Sequence, residues 1–315
     1  MIRLISNPNA GRGGHRRAAE IARFCELLGA RGIEVEMVST TAPGDATRLA
    51  AEAAGGGMRE VIVSGGDGTI NEALQGLVGT GVRLGIWPAG TANVLARELQ
   101  LPFDATGAAD VIARGETRRI YAGCATEDVS GERRYFFLMA GIGLDASVVE
   151  RVRPRLKRRV GEGAFWVSGL GHLARWRPVA FSVEVKGQTY PATFAAFGRA
   201  AHYGGDISVT PGARLDEPEF EICIVNSHSR LRFLRLLSHA RLRGDRSRMP
   251  CITYLRATRA RATGEALMQI DGELTGRLPV TFEIVPEPVE VIAPRLSAGA
   301  GGAAGDARRG HQRPG

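Results

Sequence analysis

Lysine is nearly absent from this chain. Of its 41 basic residues only Lys157 and Lys186 are lysines, so a phosphate clamp must use arginine, backbone or metal, and a Walker-type lysine is excluded. Cysteine is scarce and scattered: Cys25, Cys124, Cys223 and Cys251 show no C-x-x-C spacing and no nearby histidine at ligand spacing, which reads as reduced core thiols. The six histidines form no H-E-x-x-H pattern and no G-x-S-x-G elbow occurs, so zinc and serine-hydrolase chemistry drop out. No run approaches the ~18 uncharged apolar residues of a spanning helix. Met1 leads into Arg3 and an Asn7-Pro8 turn, without the apolar core of a signal peptide. The expectation is a cytoplasmic protein, or one peripheral at the inner face of a membrane. Aromatics make up 6% of the chain and few lie beside the arginines to stack bases, so no nucleic-acid partner is expected.

With 315 residues and 44% hydrophobic content the chain can bury a sizeable core and make two domains. Its formal net charge of +8 favours anionic partners such as nucleotides or acidic lipid surfaces. The most informative stretch is residues 61–77. An apolar strand, Val61-Ile62-Val63-Ser64, breaks into Gly65-Gly66-Asp67-Gly68-Thr69 and leaves as a helix carrying Ile70, Asn71 and Glu72. Three glycines in four positions open backbone angles closed to other residues and let a bulky anion approach N–H groups. The helix behind them points its positive end at the same spot. A phosphate-bearing ligand is the natural occupant. Asp67 is odd there, because a bare carboxylate repels phosphate unless it binds a cation or accepts a proton. It marks chemistry, or more blandly it caps the helix.

The pattern predicts strands over residues 3–6, 34–39, 61–64 and 82–87, alternating with helices over 15–30, 45–54 (Asp45 as N-cap), 69–77, 93–99 and 104–114. Such alternation means an α/β domain with a parallel sheet and helices on both faces, here residues 1–116. Its strand-to-helix turns share one edge, where ligands bind: Asn7-Pro8-Asn9-Ala10-Gly11, Thr40, residues 65–69 and 90–93 converge. From about Thr117 the composition turns β-rich, with apolar runs at 119–124, 135–140, 181–186, 192–197, 219–225, 267–270, 280–285 and 289–293. Residues 117–296 read as a mainly antiparallel β-sandwich, its last strand free to return to the first domain, with helical patches at 147–152, 164–174 and 231–242. Residues 297–315 carry no apolar period and read as a disordered tail.

Six motifs in order resemble the diacylglycerol kinase catalytic family, bacterial lipid kinases and sphingosine kinases included. They are NPNAG at residues 7–11, SGGDGTINE at 64–72, PAGTAN at 88–93, AGIGLDA at 140–146, GGDISVTPGARL at 204–215 and QIDGE at 269–273. They span roughly residues 1–294; GGDG alone is shared with NAD kinases and phosphofructokinases. The resemblance implies a first domain like that of those two kinases. ATP would bind on Asn7, Pro8, Asn9, Ala10, Gly11, Thr40, Gly65, Gly66, Asp67, Gly68, Thr69, Ile70, Asn71 and Thr91, with Mg2+ at the phosphates and a lipid alcohol entering from the β domain. It ranks Glu273 first as proton acceptor and makes Asp67 essential; in the sphingosine kinases the aspartate of GDG is often given the base role. Asp271 is a metal or structural partner, or simply a hairpin turn with Gly272. The family's structural magnesium maps onto Arg214, Glu217 and Glu219, the first and last through backbone oxygens, but Glu217-Pro218 stands where an acid-glycine pair is usual. Val94 stands where many members have Asp.

Residues 141–146, GIGLDA, match a dinucleotide fingerprint but lie in the β-rich half without a βαβ unit, which favours a turn. Arg151, Arg153, Arg155, Lys157, Arg158 and Arg159 form a basic run that reads as a solvated loop or as transient contact with an anionic membrane surface. Residues 230–248 read as an arginine-rich helix packed on the sandwich. The expected activity is transfer of the γ-phosphate of ATP to diacylglycerol or a sphingoid-type lipid. Two alternatives stand beside it: an NAD kinase-like enzyme with a soluble acceptor, and a nucleotide-responsive lipid-binding protein without catalysis. A homodimer is compatible with the sequence, which does not decide it.

Overall fold

Alternation along the strands decides the first layer arrangement. In β3 (Glu60–Gly65), Val61 and Val63 pack on one side of the sheet and Ile62 on the other, as the two-residue period of a strand requires. Both sides are covered, which is why the strand is apolar throughout. The computed structural model describes residues 1–11, 15–144, 146, 178–202, 208–229, 231–233, 235 and 251–295. The basic run at 151–159, the helices expected at 147–152 and 164–174, most of that at 231–242, residues 204–207 of the GGDISVTPGARL motif and the tail beyond 297 lie outside the described residues.

β1 (Ile2–Ser6), β2 (Val35–Ser39), β3 and β4 (Arg83–Pro88) are parallel, in the order β2-β1-β3-β4. On one face lie α1 (His15–Gly29) and α5 (Ala105–Arg114), joined by Phe24, Leu28, Ala108 and Ile112 around Trp87. On the other lie α2 (Asp45–Gly55) and α3 (Asp67–Leu77), with Ala46, Leu49, Ala50 and Ala53 of α2 at helical spacing against Ile70, Ala73, Leu74 and Leu77. The helices cross closely: a Cβ on Gly76 would sit 2.4 Å from the Thr47 carbonyl. α4 (Val94–Glu98) follows β4. Asp45 is the first helical residue and not the N-cap; Gly44, with φ 87°, takes that place, and the Asp45 carboxylate reaches back to the N–H groups of Thr41 and Ala42 at 2.8 and 3.0 Å.

Two late strands complete this sheet. β18 (Val289–Ile292) lies between β4 and β5 (Thr117–Ile120), parallel to the first and antiparallel to the second. The apolar run at 119–124 is therefore two strands in different sheets, divided where the chain crosses at Tyr121 and Ala122.

The second unit is a sandwich of two antiparallel six-stranded sheets. One holds β6 (Gly123–Glu127), β7 (Arg133–Phe136), β9 (Phe181–Val185), β10 (Gln188–Ala192), β14 (Arg259–Gly264) and β17 (Val280–Ile284). The other holds β8 (Met139–Ile142), β11 (Phe194–Gly198), β12 (Phe220–Val225), β13 (Ile252–Ala257), β15 (Leu267–Ile270) and β16 (Glu273–Arg277). Phe136, Phe197, Phe220 and Phe282 fill the space between, with the rings of Phe197 and Phe282 stacked at 4.0 Å. β8, which carries Gly141, is flanked by antiparallel β11 and β15. Among the described residues it opens no βαβ unit, and a Cβ on Gly143 (φ 92°) would lie 2.5 Å from the Thr193 carbonyl, so this glycine run serves a tight turn.

Candidate active site

The turns after β1, β3 and β4 meet at one edge of the first sheet. The Asn7 backbone N–H donates to the Ser64 carbonyl at 2.9 Å. The Asn7 side chain works at both ends: Oδ1 accepts from the Asn9 N–H at 2.9 Å, and Nδ2 donates to Thr69 Oγ1 at 3.0 Å. Thr40 is buried beside them, its N–H on the Ser6 carbonyl at 2.9 Å. Asn93, in the left-handed region at φ 47°, clasps Gly90 through both amide atoms at 2.8 Å. Pro8, Asn9, Gly11, Gly68 and Thr91 are exposed around the opening, and Ala10 is half-buried.

Gly65 and Gly66 serve close approach and not unusual angles, which corrects the expectation from sequence: Gly65, Gly66 and Gly68 all lie outside the left-handed region. A Cβ on Gly65 would come within 2.6 Å of the Thr69 side chain, and one on Gly66 within 3.2 Å of Gly90 Cα. Two loops are thus packed backbone to backbone, with the first N–H groups of α3 left without helical partners. Gly11 (φ 73°) closes the third loop in the same way, since a Cβ there would meet the Ala89 carbonyl at 2.7 Å. Ile70 turns its side chain into the core and its N–H to the Gly66 carbonyl, so only its backbone borders the loop.

Asp67 opens α3, yet it caps a different helix. Its Oδ1 accepts from the Leu95 N–H at 3.3 Å at the start of α4. Burial pushes its carboxyl pKa up, against the pull of the N–H groups of Val94, Leu95 and Asn93. Glu72 is anchored to α2, accepting from the Gly44 N–H at 3.0 Å, and burial raises its pKa with the Glu273 and Asp45 charges adding to the rise.

Glu273 arrives from the sandwich. A Cβ placed on Gly68 would have Glu273 Oε1 as its near neighbour at 3.5 Å. Residues more than 200 positions apart are brought together by a second carboxylate, Asp271, whose residue is half-buried but whose side chain is enclosed. Its Oδ2 accepts from Asn71 Nδ2 at 2.8 Å and the Phe137 N–H at 3.1 Å; its Oδ1 accepts from Leu138 and Met139 at 3.1 and 2.9 Å. Gln75, one turn beyond Asn71, binds both backbone groups of Tyr135 at 2.8 and 2.9 Å. Asn71 and Asp271 thus tie α3 to the sandwich and set the height of Glu273 above the loop. Of the two readings of Asp271, the structure shows the structural partner, built into a hairpin turn at φ 46°.

Arg17 was not singled out from sequence. It is buried on α1, stacked on Trp87 at 4.5 Å, and donates to Ser64 Oγ at the base of the glycine loop. Burial lowers its pKa, opposed by Glu20. Nothing in the run Arg16-Arg17-Ala18 says which arginine faces inward. A cavity of about 730 Å3 opens beside it, lined by Ala10, Gly11, Arg23, Trp87 and Phe103 among others.

The loop edge fits a nucleotide: crowded glycines, helix N–H groups, and an acid at the apex whose burial a divalent cation would offset. The structural-magnesium residues do not fit a cation. The Arg214 carbonyl accepts from the Glu217 N–H at 3.3 Å, and those of Glu217 and Glu219 accept from the Arg199 guanidinium. The Glu217 carboxylate pairs with Arg256 at 2.6 Å and with Arg214 at 3.1 Å, and that of Glu219 with Arg256 at 2.8 Å.

Known proteins agree with this architecture. Residues 1–125 match the diacylglycerol kinase catalytic domain, and residues 139–293 the YegS C-terminal NAD kinase beta sandwich-like domain. A diacylglycerol kinase of Mycobacterium tuberculosis is 32% identical over 301 residues, covering 93% of this chain and 95% of that protein. One of Bacillus subtilis is 32% identical over 306 residues, covering 94% and 97%. A solved diacylglycerol kinase structure from Bacillus anthracis superposes with a TM-score of 0.71 at 22% identity, covering 93% of this chain and 96% of that one. That likeness speaks for the fold. With a matching model over each half and relatives of this identity along nearly their whole length, the chain belongs to the diacylglycerol kinase family and is a kinase.

Proposed function

We propose that this kinase transfers the γ-phosphate of ATP to the hydroxyl of a lipid alcohol, with diacylglycerol the first candidate and a sphingoid-type lipid the second. The observation that carries the reading is Glu273 poised over Gly68, a carboxylate from one domain facing the anion cradle of the other. The relatives' names supply the acceptor class.

The acceptor hydroxyl gives its proton to Glu273 as its oxygen bonds to the γ-phosphorus, while the bond from that phosphorus to the bridging oxygen breaks and ADP leaves. In a loose transition state the proton departs late, so a carboxylate within hydrogen-bond reach is sufficient. Residues 7–11, Thr40, residues 65–71 and Thr91 hold the nucleotide in this reading, Asn71 through its backbone because its side chain is committed to Asp271. Magnesium held with the phosphates near Asp67 supplies charge neutralisation there. No helix among the described residues is long and apolar enough to cross a membrane, and the net charge of +8 draws the protein to anionic lipid, where the acceptor resides.

The test is transfer of labelled γ-phosphate from ATP with magnesium to a panel of lipid alcohols in mixed micelles, with NAD alongside. Label extracted into organic solvent with diacylglycerol is the expected result. Label moving only to NAD overturns the acceptor, and no transfer despite ATP binding overturns catalysis. Glu273→Gln should lower turnover by on the order of 10² to 10⁴ with ATP affinity intact; normal turnover in that variant removes Glu273 from the chemistry.

A further inference from the structure

Four backbone carbonyls converge on one buried arginine where the chain passes between its two units. Arg199 follows β11 and is fully buried. Its Nε donates to the Tyr121 carbonyl at 3.0 Å, its Nη2 to those of Leu215 and Glu217 at 2.9 and 2.7 Å, and its Nη1 to that of Glu219. Carbonyl oxygens gathered around one centre are how a protein loop holds a hard cation. Here the positive charge at the centre is covalently attached to the chain.

We propose that Arg199, together with Arg256, replaces a bound divalent cation at the 215–219 loop, so that this kinase assembles its domain junction without a structural metal. Arg256 neutralises the side chains such a cation would have drawn: it pairs with the carboxylates of Glu217 and Glu219 and donates to the Gly212 carbonyl at 2.6 Å. Burial lowers the Arg199 pKa to about 10, with Asp216, Glu217 and Glu219 opposing the fall, so the centre stays charged at neutral pH. A guanidinium suits this place because its donors spread in a plane, serving four acceptors that a point-charge ammonium could not reach at once.

The consequence is mechanical. Tyr121 lies where the chain leaves β5 for β6, and its N–H donates to the Leu215 carbonyl at 2.9 Å. The Arg199 N–H donates to the Leu138 carbonyl at 2.8 Å, beside the turn that Asp271 holds. Leu215 and Ala200 pack into the core of the first domain. One guanidinium therefore fastens the crossover, the 215–219 loop and β11 to each other. A variable metal supply would leave this junction unchanged.

The experiment is thermal unfolding of the full chain without nucleotide, in EDTA and then in millimolar magnesium, for the native protein and for Glu217→Gln. The shift produced by magnesium should be the same in both, within about 1 °C, while Arg199→Met should melt lower by several degrees. A magnesium shift larger by several degrees in the native protein than in Glu217→Gln would overturn the proposal, because it places a cation on that carboxylate. So would an Arg199→Met variant as stable as the native chain. If Arg199→Met does not fold, the comparison of the native protein with Glu217→Gln still decides. None of these readouts depends on catalysis or on the identity of the phosphate acceptor.

Discussion

At the scale of single residues, the site is governed by carboxylates that do different work. Asp67 caps α4 and Glu273 faces the cradle, while Asp271 accepts from Asn71 of the first domain and from three N–H groups of the sandwich. Burial lifts the Asp271 carboxyl from the usual 3.8 to about 6, although the Met139, Phe137, Leu138 and Asn71 donors pull it down. Its folded pKa lies above its unfolded value, so the folded protein holds the proton more tightly. Its contribution to stability is fully present below about 3.8 and is lost as pH rises through about 6. In Asp271→Asn the melting temperature should change less between pH 4 and pH 7 than in the native protein; parallel profiles would sink this account. An amide there also turns N–H groups toward N–H donors, so the turn loosens and kcat should fall roughly tenfold or more with the KM for ATP unchanged. A rise in that KM with kcat intact would mean that the bridge serves nucleotide binding. Asp67→Ala should abolish transfer and weaken magnesium-dependent ATP binding, as titration of nucleotide with and without magnesium will show.

Among elements, close packing is what the sequence conceals. Gly76 lies in the last turn of α3, ahead of the cap at Val78, where glycine lowers helix propensity without serving as a cap. Its reason is the Thr47 carbonyl of α2, 2.4 Å from where a Cβ would stand. Gly76→Ala should therefore destabilise the first domain by about 1–3 kcal/mol through overpacking, despite alanine's better propensity. Denaturant unfolding measures this, and a stabilised variant would show that α2 and α3 can separate freely. The strands β10, β13, β14 and β16 were not legible as apolar runs. β14 shows why: Arg259, Ala260, Arg261 and Ala262 alternate outward and inward, but a buried alanine contributes too little hydrophobicity to mark a face. The phenylalanine-bearing strands stood out because their buried side chains are large.

For the molecule as a whole, the chain is threaded so that the first domain is completed only by a strand that follows the sandwich. It leaves the first sheet after β5, builds the sandwich, and returns β18 between β4 and β5. A chain ending at residue 288 should lose its cooperative melt, because β4 and β5 would both be left with an unpaired edge. Circular dichroism on heating tests this; a native-like transition in the truncated chain would show that the first sheet closes without β18. The same threading explains the site, since Glu273 can stand above Gly68 only when the sandwich is docked on α3 through Asn71, Gln75 and Asp271.

The amino-acid sequence by itself determined the α/β class of the first half, the β-rich second half, and the glycine loop flanked by Asn7, Thr40 and the PAGTAN turn. These rest on local periodicity and on backbone preferences of adjacent residues, which a window of the chain contains. Only the tertiary structure decided that Asp67 serves α4, that Asn71 is committed to Asp271, that Arg17 supports Ser64, and that Arg199 and Arg256 engage the carbonyls and carboxylates of Glu217 and Glu219. Each of these depends on the distance between residues far apart in the chain. The direction a polar side chain takes is set by the partner that compensates its burial, and that partner exists only once the sheets and helices have met.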